Sequence, residues 1–513
     1  MGETTVAKEF IHYLEKNGAE YGAIYLPKRV EGKKVNEITN LGLVIDKDRG
    51  IFRNRERGVF SFSLEDGYGR APADAKLPVK AKGKELLILD FGDSFLFYSF
   101  LESTPYYAII ESLLPSESDT LFSLLGYHVL GGGANCYAQT WWEGNYVNRL
   151  YPLAHLQGQR ISEFLTRLGN EAVHRTFFKQ YLATLMSGPG IHGILIDSTG
   201  LPNSIDLPMT AISNHNGDIN LEMRLIFVTE RTTGMPLLFR YIAGNVVDVT
   251  TLEITVNELY QQGVTTDFVI LDAGYYSEGN IIALHEKGIA YVTRLQANRK
   301  LYKELILQNI DSLEDGKNLV KYNGRALYVK RVECKVAGGF DAYAYIAIDL
   351  TMKSIGMNKA MLVALDDNLG PDEINARMKR LGVFVLVSSE NLGAEEILPL
   401  YYTRQQVEQV FDIVKNYADM LPLRVHSEET LRGHLMLGFI ATIICRLMQK
   451  ELDKKEINMI GLTRELKNQK CKVYPNCIIP QEPKKKMNDG YKVFKLTSPP
   501  IIETEEKSSC GKN

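Results

Sequence analysis

The chain lacks several things that would have settled its class at once. Its six cysteines (Cys136, Cys334, Cys445, Cys471, Cys477 and Cys510) form no C-x-x-C pair and are widely spaced. Neither a disulfide framework nor a structural zinc site is therefore expected, and free thiols are the plain reading. Long apolar runs are missing too. The longest, Met436 to Cys445, is stopped by Arg446, far short of the ~20 residues that span a bilayer. The opening MGETTVAKEF has no apolar stretch of the kind a secretory signal needs. These readings give a cytosolic protein with no membrane partner. An excess of positive charge is absent as well: 59 Lys and Arg against 62 Asp and Glu leave a net charge of −3. Taken over the whole chain, that balance argues against a nucleic-acid binder.

What is present is an ordinary globular composition over 513 residues, with 45% hydrophobic and 24% charged residues, enough for several domains with cores of their own. Residues 1–105 read as a β-rich domain, with AIYLP, VNEITNLGLVID and GVFSFSL between turn signals. Positive charge gathers there: Lys28, Arg29, Lys33, Lys34, Lys47, Arg49, Arg53, Arg55 and Arg57 stand against five acids over 28–57, a candidate DNA-end-binding surface. Residues 106–190 read as helical, with Ile161, Phe164, Leu165 and Leu168 at helical spacing. The run Gly131-Gly132-Gly133 reads as a linker rather than a phosphate cradle. From 191 to 296 the rhythm becomes α/β, with an antiparallel pair joined near Thr232-Thr233-Gly234. Residues 297–393 depart from it as a β-rich insertion, and 394–450 return with helices. The stretch 451–513, rich in proline and carrying Lys484-Lys485-Lys486, reads as a partly disordered tail.

Two aspartates stand out by position. Asp197 in ILIDSTG and Asp272 in VILDAGYYS each close an apolar strand and are followed by small residues. A buried carboxylate must find a partner, and ligands gather at such strand ends in α/β sheets. A pair of them suits a hard divalent cation, whereas one alone would read as a turn or helix cap. The third element is LYYTRQQVEQVFDIVKNYADML. On one continuous helix Tyr401, Arg404, Glu408 and Lys415 share a stripe roughly 60° wide. Val407, Val410, Phe411 and Val414 occupy a separate apolar stripe. A carboxylate among two cations and a phenol suits a site for metal and phosphate, and a solvated amphipathic helix is the plainer alternative. Trp141-Trp142 could stack on a base but reads more simply as packing. His215 and His285 lack metal-motif spacing. Asp366, Asp367, Glu390, Glu395 and Glu396 rival Glu408 but lack the surrounding cations.

With Tyr401, Arg404, Glu408 and Lys415 matching Y-x2-R-x3-E-x6-K at every interval, and Asp197 and Asp272 lying upstream in order, the chain resembles bacterial insertion-sequence transposases of the DDE superfamily. The resemblance covers about residues 150–450. It implies a ribonuclease H-like α/β core, a mixed sheet flanked by helices, interrupted by a β-rich insertion. It also implies a catalytic triad of Asp197, Asp272 and Glu408 holding two Mg²⁺ ions, with Mn²⁺ able to substitute. Tyr401, Arg404 and Lys415 would hold DNA phosphates. The implied partner is double-stranded DNA, both the element's terminal inverted repeats and the target, met by a homodimer in the bacterial cytosol at the nucleoid. A nuclease without strand transfer and a non-catalytic DNA-binding regulator are the alternatives.

Overall fold

The computed structural model describes all residues except 1–3, 6–7, 17–18, 31–32, 55–56, 73–83, 189–190, 204, 214–218, 368, 413–424, 426 and 505–513. Lys415, His215, Arg55, Val414 and Cys510, all named above, lie outside the described residues. The other five cysteines are free thiols. The chain divides into two units: Met1–Leu87 with Lys472–Ile479 and Ile501–Asn513, and Ile88–Cys471 with Pro480–Pro500.

The first unit is built on a seven-stranded antiparallel sheet whose longest strands are Ala19–Val30 and Lys33–Asp46. Its small core is Leu41, Phe52, Phe60 and Phe62. The β-rich region is shorter than the expected 1–105, because DSFLFYSFLE forms the helix Gly92–Glu102 of the second unit. Leu96, Phe97 and Leu101 are the reason: at helical spacing they bury fully.

The second unit is a mixed α/β assembly around one ten-stranded sheet. We label its strands β1 (Ile194–Pro202), β2 (Ala211–Ser213), β3 (Asn220–Glu230), β4 (Pro236–Ala243), β5 (Phe268–Leu271), β6 (Ala290–Arg294), β7 (Leu319–Tyr322), β8 (Arg325–Lys335), β9 (Asp341–Asp349) and β10 (Val383–Ser388). In space they run β2-β3-β1-β5-β6-β10-β9-β8-β7, with β4 on β3. The β3–β4 pair is antiparallel, as its sequence pattern predicts. The stretch 297–393 does not stand apart as an insertion domain: β10 pairs with both β6 and β9, so its strands continue the central sheet. Val385, Leu386 and Val387 are buried in it, and two helices, Leu350–Asp366 and Pro371–Lys379, accompany them.

The helices that matter to the site are α1 (Gly158–Leu168), α2 (Glu171–Met186), α3 (Leu252–Gln261), α4 (Glu278–Glu286), α5 (Ala394–Tyr402), α6 (Gln405–Asp412) and α7 (Glu428–Asp453). Helix α7 is long and apolar enough to cross a membrane by length and composition, yet it is almost wholly buried inside this unit. The expected disorder of the tail is corrected between residues 470 and 503, where two strands, Lys470–Tyr474 and Cys477–Pro480, and the helix Lys485–Val493 form. Tyr491, fully buried, anchors that helix by donating its hydroxyl to Gln469 Oε1 at 2.6 Å.

Candidate active site

Sheet register brings the two aspartates together. β1 and β5 are parallel, and their last paired residues are Ile196 and Leu271, so Asp197 and Asp272 are the next residue of each strand. Asp272 lies just past the end of its strand and opens the turn Ala273–Tyr275. Asp197 does not end its own: β1 runs on to Pro202, because Asp197 to Pro202 stay paired with β3. The apolar run stops at Asp197, but the antiparallel partner on the other side carries the strand further.

The third element is not one helix. α5 ends at Tyr402 and α6 begins at Gln405. At the junction the Thr403 hydroxyl donates to the Leu400 carbonyl at 2.7 Å, and the Arg404 amide donates to Tyr401 O, one residue nearer than in a regular helix. A threonine hydroxyl competing for a backbone carbonyl is a recognised way to disturb the ladder. Val407 and Val410 still bury as the apolar stripe predicts, while Phe411's side chain and Val414 lie outside the described residues.

Arg404 ties the site together. Its Nε donates to Asp197 Oδ2 at 3.2 Å, and its Nη1 to Asp272 Oδ1 at 2.9 Å and to the Tyr401 hydroxyl at 3.1 Å. Nη2 lies 3.8 Å from Glu408 Oε1. Side-chain exposure grades outward from Asp197 at 10%, through Asp272 at 37%, to Glu408 at 59%, so the row opens toward solvent. Burial pushes the Asp197 carboxyl up to about 6; Arg404 and the Ser198 amide pull it down, and Asp272 pushes it further up. Burial opposes the Arg404 cation, but Asp197 and Asp272 outweigh it and hold the group firmly protonated. Burial likewise pushes the Tyr401 phenol up to about 12, so it stays a hydrogen-bonding hydroxyl.

Behind Asp197, on the other face of β1, lies a buried polar group that sequence reasoning missed. Ser198 Oγ donates to Asp248 Oδ1 at 2.7 Å, and Arg224 Nη1 reaches the same oxygen at 3.0 Å. The available signal was Glu222 and Arg224 at alternate positions inside the apolar β3, both buried. The group fixes the backbone next to Asp197.

Other sequence candidates find structural employment. Trp142 donates its indole N–H to the Tyr151 carbonyl at 3.2 Å, and Trp141 packs on Tyr127 with centroids 5.6 Å apart. His285 stacks on Phe340. Glu396 caps α5 through the Gly393 amide, and Asp367 pairs with Arg377. The glycine run closes the turn Tyr127–Gly131, with Gly132 and Gly133 at φ of 70° and 109°.

Two aspartates sharing one cation, with a third carboxylate alongside, are a hard-oxygen donor set of the kind Mg²⁺ takes. Among the described residues, no three His, Cys, Asp or Glu side chains stand close enough to form a ready metal cluster; Arg404 occupies the ground between the carboxylates.

Comparison with known proteins bears on this segment. Residues 189–444 match the family described as Transposase DDE domain. No curated protein matches the chain. Among solved structures, the piggyBac transposase in a cryo-EM synaptic complex with hairpin DNA is similar at 10% identity and a TM-score of 0.40, over 73% of this chain and 79% of that one. The segment holding Asp197, Asp272, Tyr401, Arg404 and Glu408 is thus a transposase DDE domain, and the chain is an enzyme acting on DNA, a DNA transposase.

Proposed function

We propose that this transposase cuts at the ends of a bacterial insertion sequence and joins them to target DNA, with Asp197, Asp272 and Glu408 holding two Mg²⁺ ions on a ribonuclease H-like core. The observation that carries the reading is the convergence of the three carboxylates on one guanidinium, from a parallel strand pair and the helix after it. Order and spacing in the sequence support the same assignment. A bound divalent cation supplies Lewis acidity toward the attacking and leaving oxygens of a phosphodiester. The chain's own task is to place those oxygens. Tyr401, Arg404 and Lys415 bind the flanking phosphates, a planar guanidinium forking onto two oxygens and an ammonium adding a compact charge. In the first step water attacks the phosphodiester, leaving a 3′-hydroxyl and a 5′-phosphate. In the second, that 3′-hydroxyl attacks a target phosphodiester and displaces a target 3′-oxygen. No protein nucleophile is required.

Joining two ends calls for two sites in one complex, so the active form is a homodimer on double-stranded DNA in the bacterial cytosol. The lysines and arginines of residues 28–57 supply the sequence-independent grip on the ends, a term that weakens steeply with salt. The test is incubation with Mg²⁺, labelled element ends and a target plasmid. Joined products are expected; cleavage without joining favours a nuclease, and DNA binding without either favours a regulator. Glu408→Gln is expected to lower cleavage by about a hundredfold or more while leaving DNA binding intact. Cleavage retained by that variant removes Glu408 from the site.

A further inference from the structure

Arg404 is engaged in a way that a phosphate clamp alone does not require. Its Nε and Nη1 are spent on Asp197 Oδ2 and Asp272 Oδ1, oxygens that the proposed metal site needs. The other Asp197 oxygen, Oδ1, already accepts the Ser198 amide at 2.9 Å. A guanidinium cannot shed its proton at any working pH, so it cannot share this ground with a divalent cation and must leave for one to bind. The backbone beneath it suits such a movement. Arg404 lies at the break between α5 and α6, where the helical bond from the Glu408 amide to the Arg404 carbonyl is stretched to 3.5 Å. Its side chain is one-fifth exposed, which gives it a route outward.

We propose that Arg404 is an exchangeable counter-cation. Seated between Asp197 and Asp272, it keeps the mutually repelling pair together; a divalent cation takes that seat when the guanidinium swings onto a DNA phosphate. The idea rests on the proposed metal-binding role of the two aspartates. Carboxylate and phosphate both accept the same fork of N–H donors, so the exchange replaces one anionic partner by another. Cation and phosphate binding then favour each other by reciprocal coupling, and the cutting centre assembles only where DNA is present. Arg404 acts here as a positioning residue for the carboxylates as well as a ligand for DNA.

The experiment is calorimetric titration of the full chain with Mn²⁺ at one fixed pH for parent and variants, in the absence of DNA. Arg404→Gln is expected to bind Mn²⁺ about tenfold tighter than the parent, because a seated arginine leaves the competent state populated at only about one part in ten. In EDTA the same variant is expected to melt below the parent, and Mn²⁺ is expected to raise its midpoint by more than the parent's. A scaffolding role without competition gives the opposite sign: equal or weaker Mn²⁺ binding by Arg404→Gln overturns the proposal. Should that variant not fold, Tyr401→Phe removes only the 3.1 Å anchor on Nη1. Tighter Mn²⁺ binding by it supports exchange, and unchanged or weaker binding overturns it. Asp197→Asn separates the two levels of the argument. Loss of Mn²⁺ binding in it upholds the metal site on which the exchange is tested, whereas parental affinity removes the metal site itself, and the exchange with it.

Discussion

Burying a carboxylate raises its affinity for protons, and two aspartates of the second unit feel this. Asp197 does so beside Arg404; Asp93 does so within the first turn of the helix Gly92–Glu102, where it is 2% exposed. Burial pushes the Asp93 carboxyl from 3.8 up to about 6, with Asp90 adding to the push and the Ser94 amide opposing it. The folded chain therefore keeps a proton that the unfolded chain releases. Its stability is full below pH 3.8 as far as this group is concerned, falls as pH rises toward 6, and stays reduced above that. Asp93→Asn is expected to match the parent near the lower limit and to exceed it by roughly 1–3 kcal/mol at neutral pH. Urea unfolding at the two pH values checks this, and an advantage independent of pH contradicts it. Asp197, Asp272, Tyr401, Arg404 and Glu408 could all be picked out as residues, because an apolar strand broken by an acid and a fixed spacing of polar side chains are local patterns. That one guanidinium reaches both aspartates could not, since 207 and 132 residues of chain separate those partners.

Helices were legible as elements but not in their junctions. The pattern around Tyr401 gave the apolar side, Val407 and Val410, yet concealed the break at Thr403–Arg404, where the Arg404 amide turns to the Tyr401 carbonyl. The helical reading of residues 106–190 carried no internal boundaries; Gly169 and Asn170 separate α1 from α2, and the Asn170 side chain caps α2 by accepting from the Ala172 amide at 2.8 Å. Gly169 has a second reason to be glycine. A Cβ there would lie 1.9 Å from the Glu429 carbonyl oxygen, and one on Gly433 would lie 1.9 Å from that of Leu165. Helices α1 and α7 thus cross backbone against backbone, with no room for a methyl group. Gly433→Ala is expected to force the helices apart and destabilise the fold by about 1–3 kcal/mol, despite alanine's better helix propensity. Thermal melting decides it: a variant at or above the parental midpoint would mean the crossing accommodates a methyl group.

At the scale of the molecule, the sheet carrying the two aspartates is braced from below by one aromatic side chain of α7. Phe439 packs against Phe178, Phe227 and Phe239 with centroids 5.2–5.6 Å apart, and against Phe177 and Tyr181 at 6.3 and 6.1 Å. Tyr181 in turn donates to the Pro236 carbonyl at 2.6 Å, fastening α2 to β4. Phe439→Ala is expected to cost about 3–5 kcal/mol, read as a lower denaturation midpoint. Conservative Phe439→Leu is expected to recover most of that loss.

The sequence by itself determined which residues carry charge next to apolar runs, which segments alternate as strands or repeat as helices, and the order of the acidic motifs. Those follow from interactions a few residues long. Only the tertiary structure decided that residues 297–393 extend the central sheet, that α7 is almost wholly buried inside the second unit, and that part of the expected disordered tail folds. It alone decided that Asp197 and Asp272 meet Arg404. Strand pairing, helix burial and the partner of a buried charge are each set by surfaces arriving from distant parts of the chain, and local periodicity carries no record of which surface arrives.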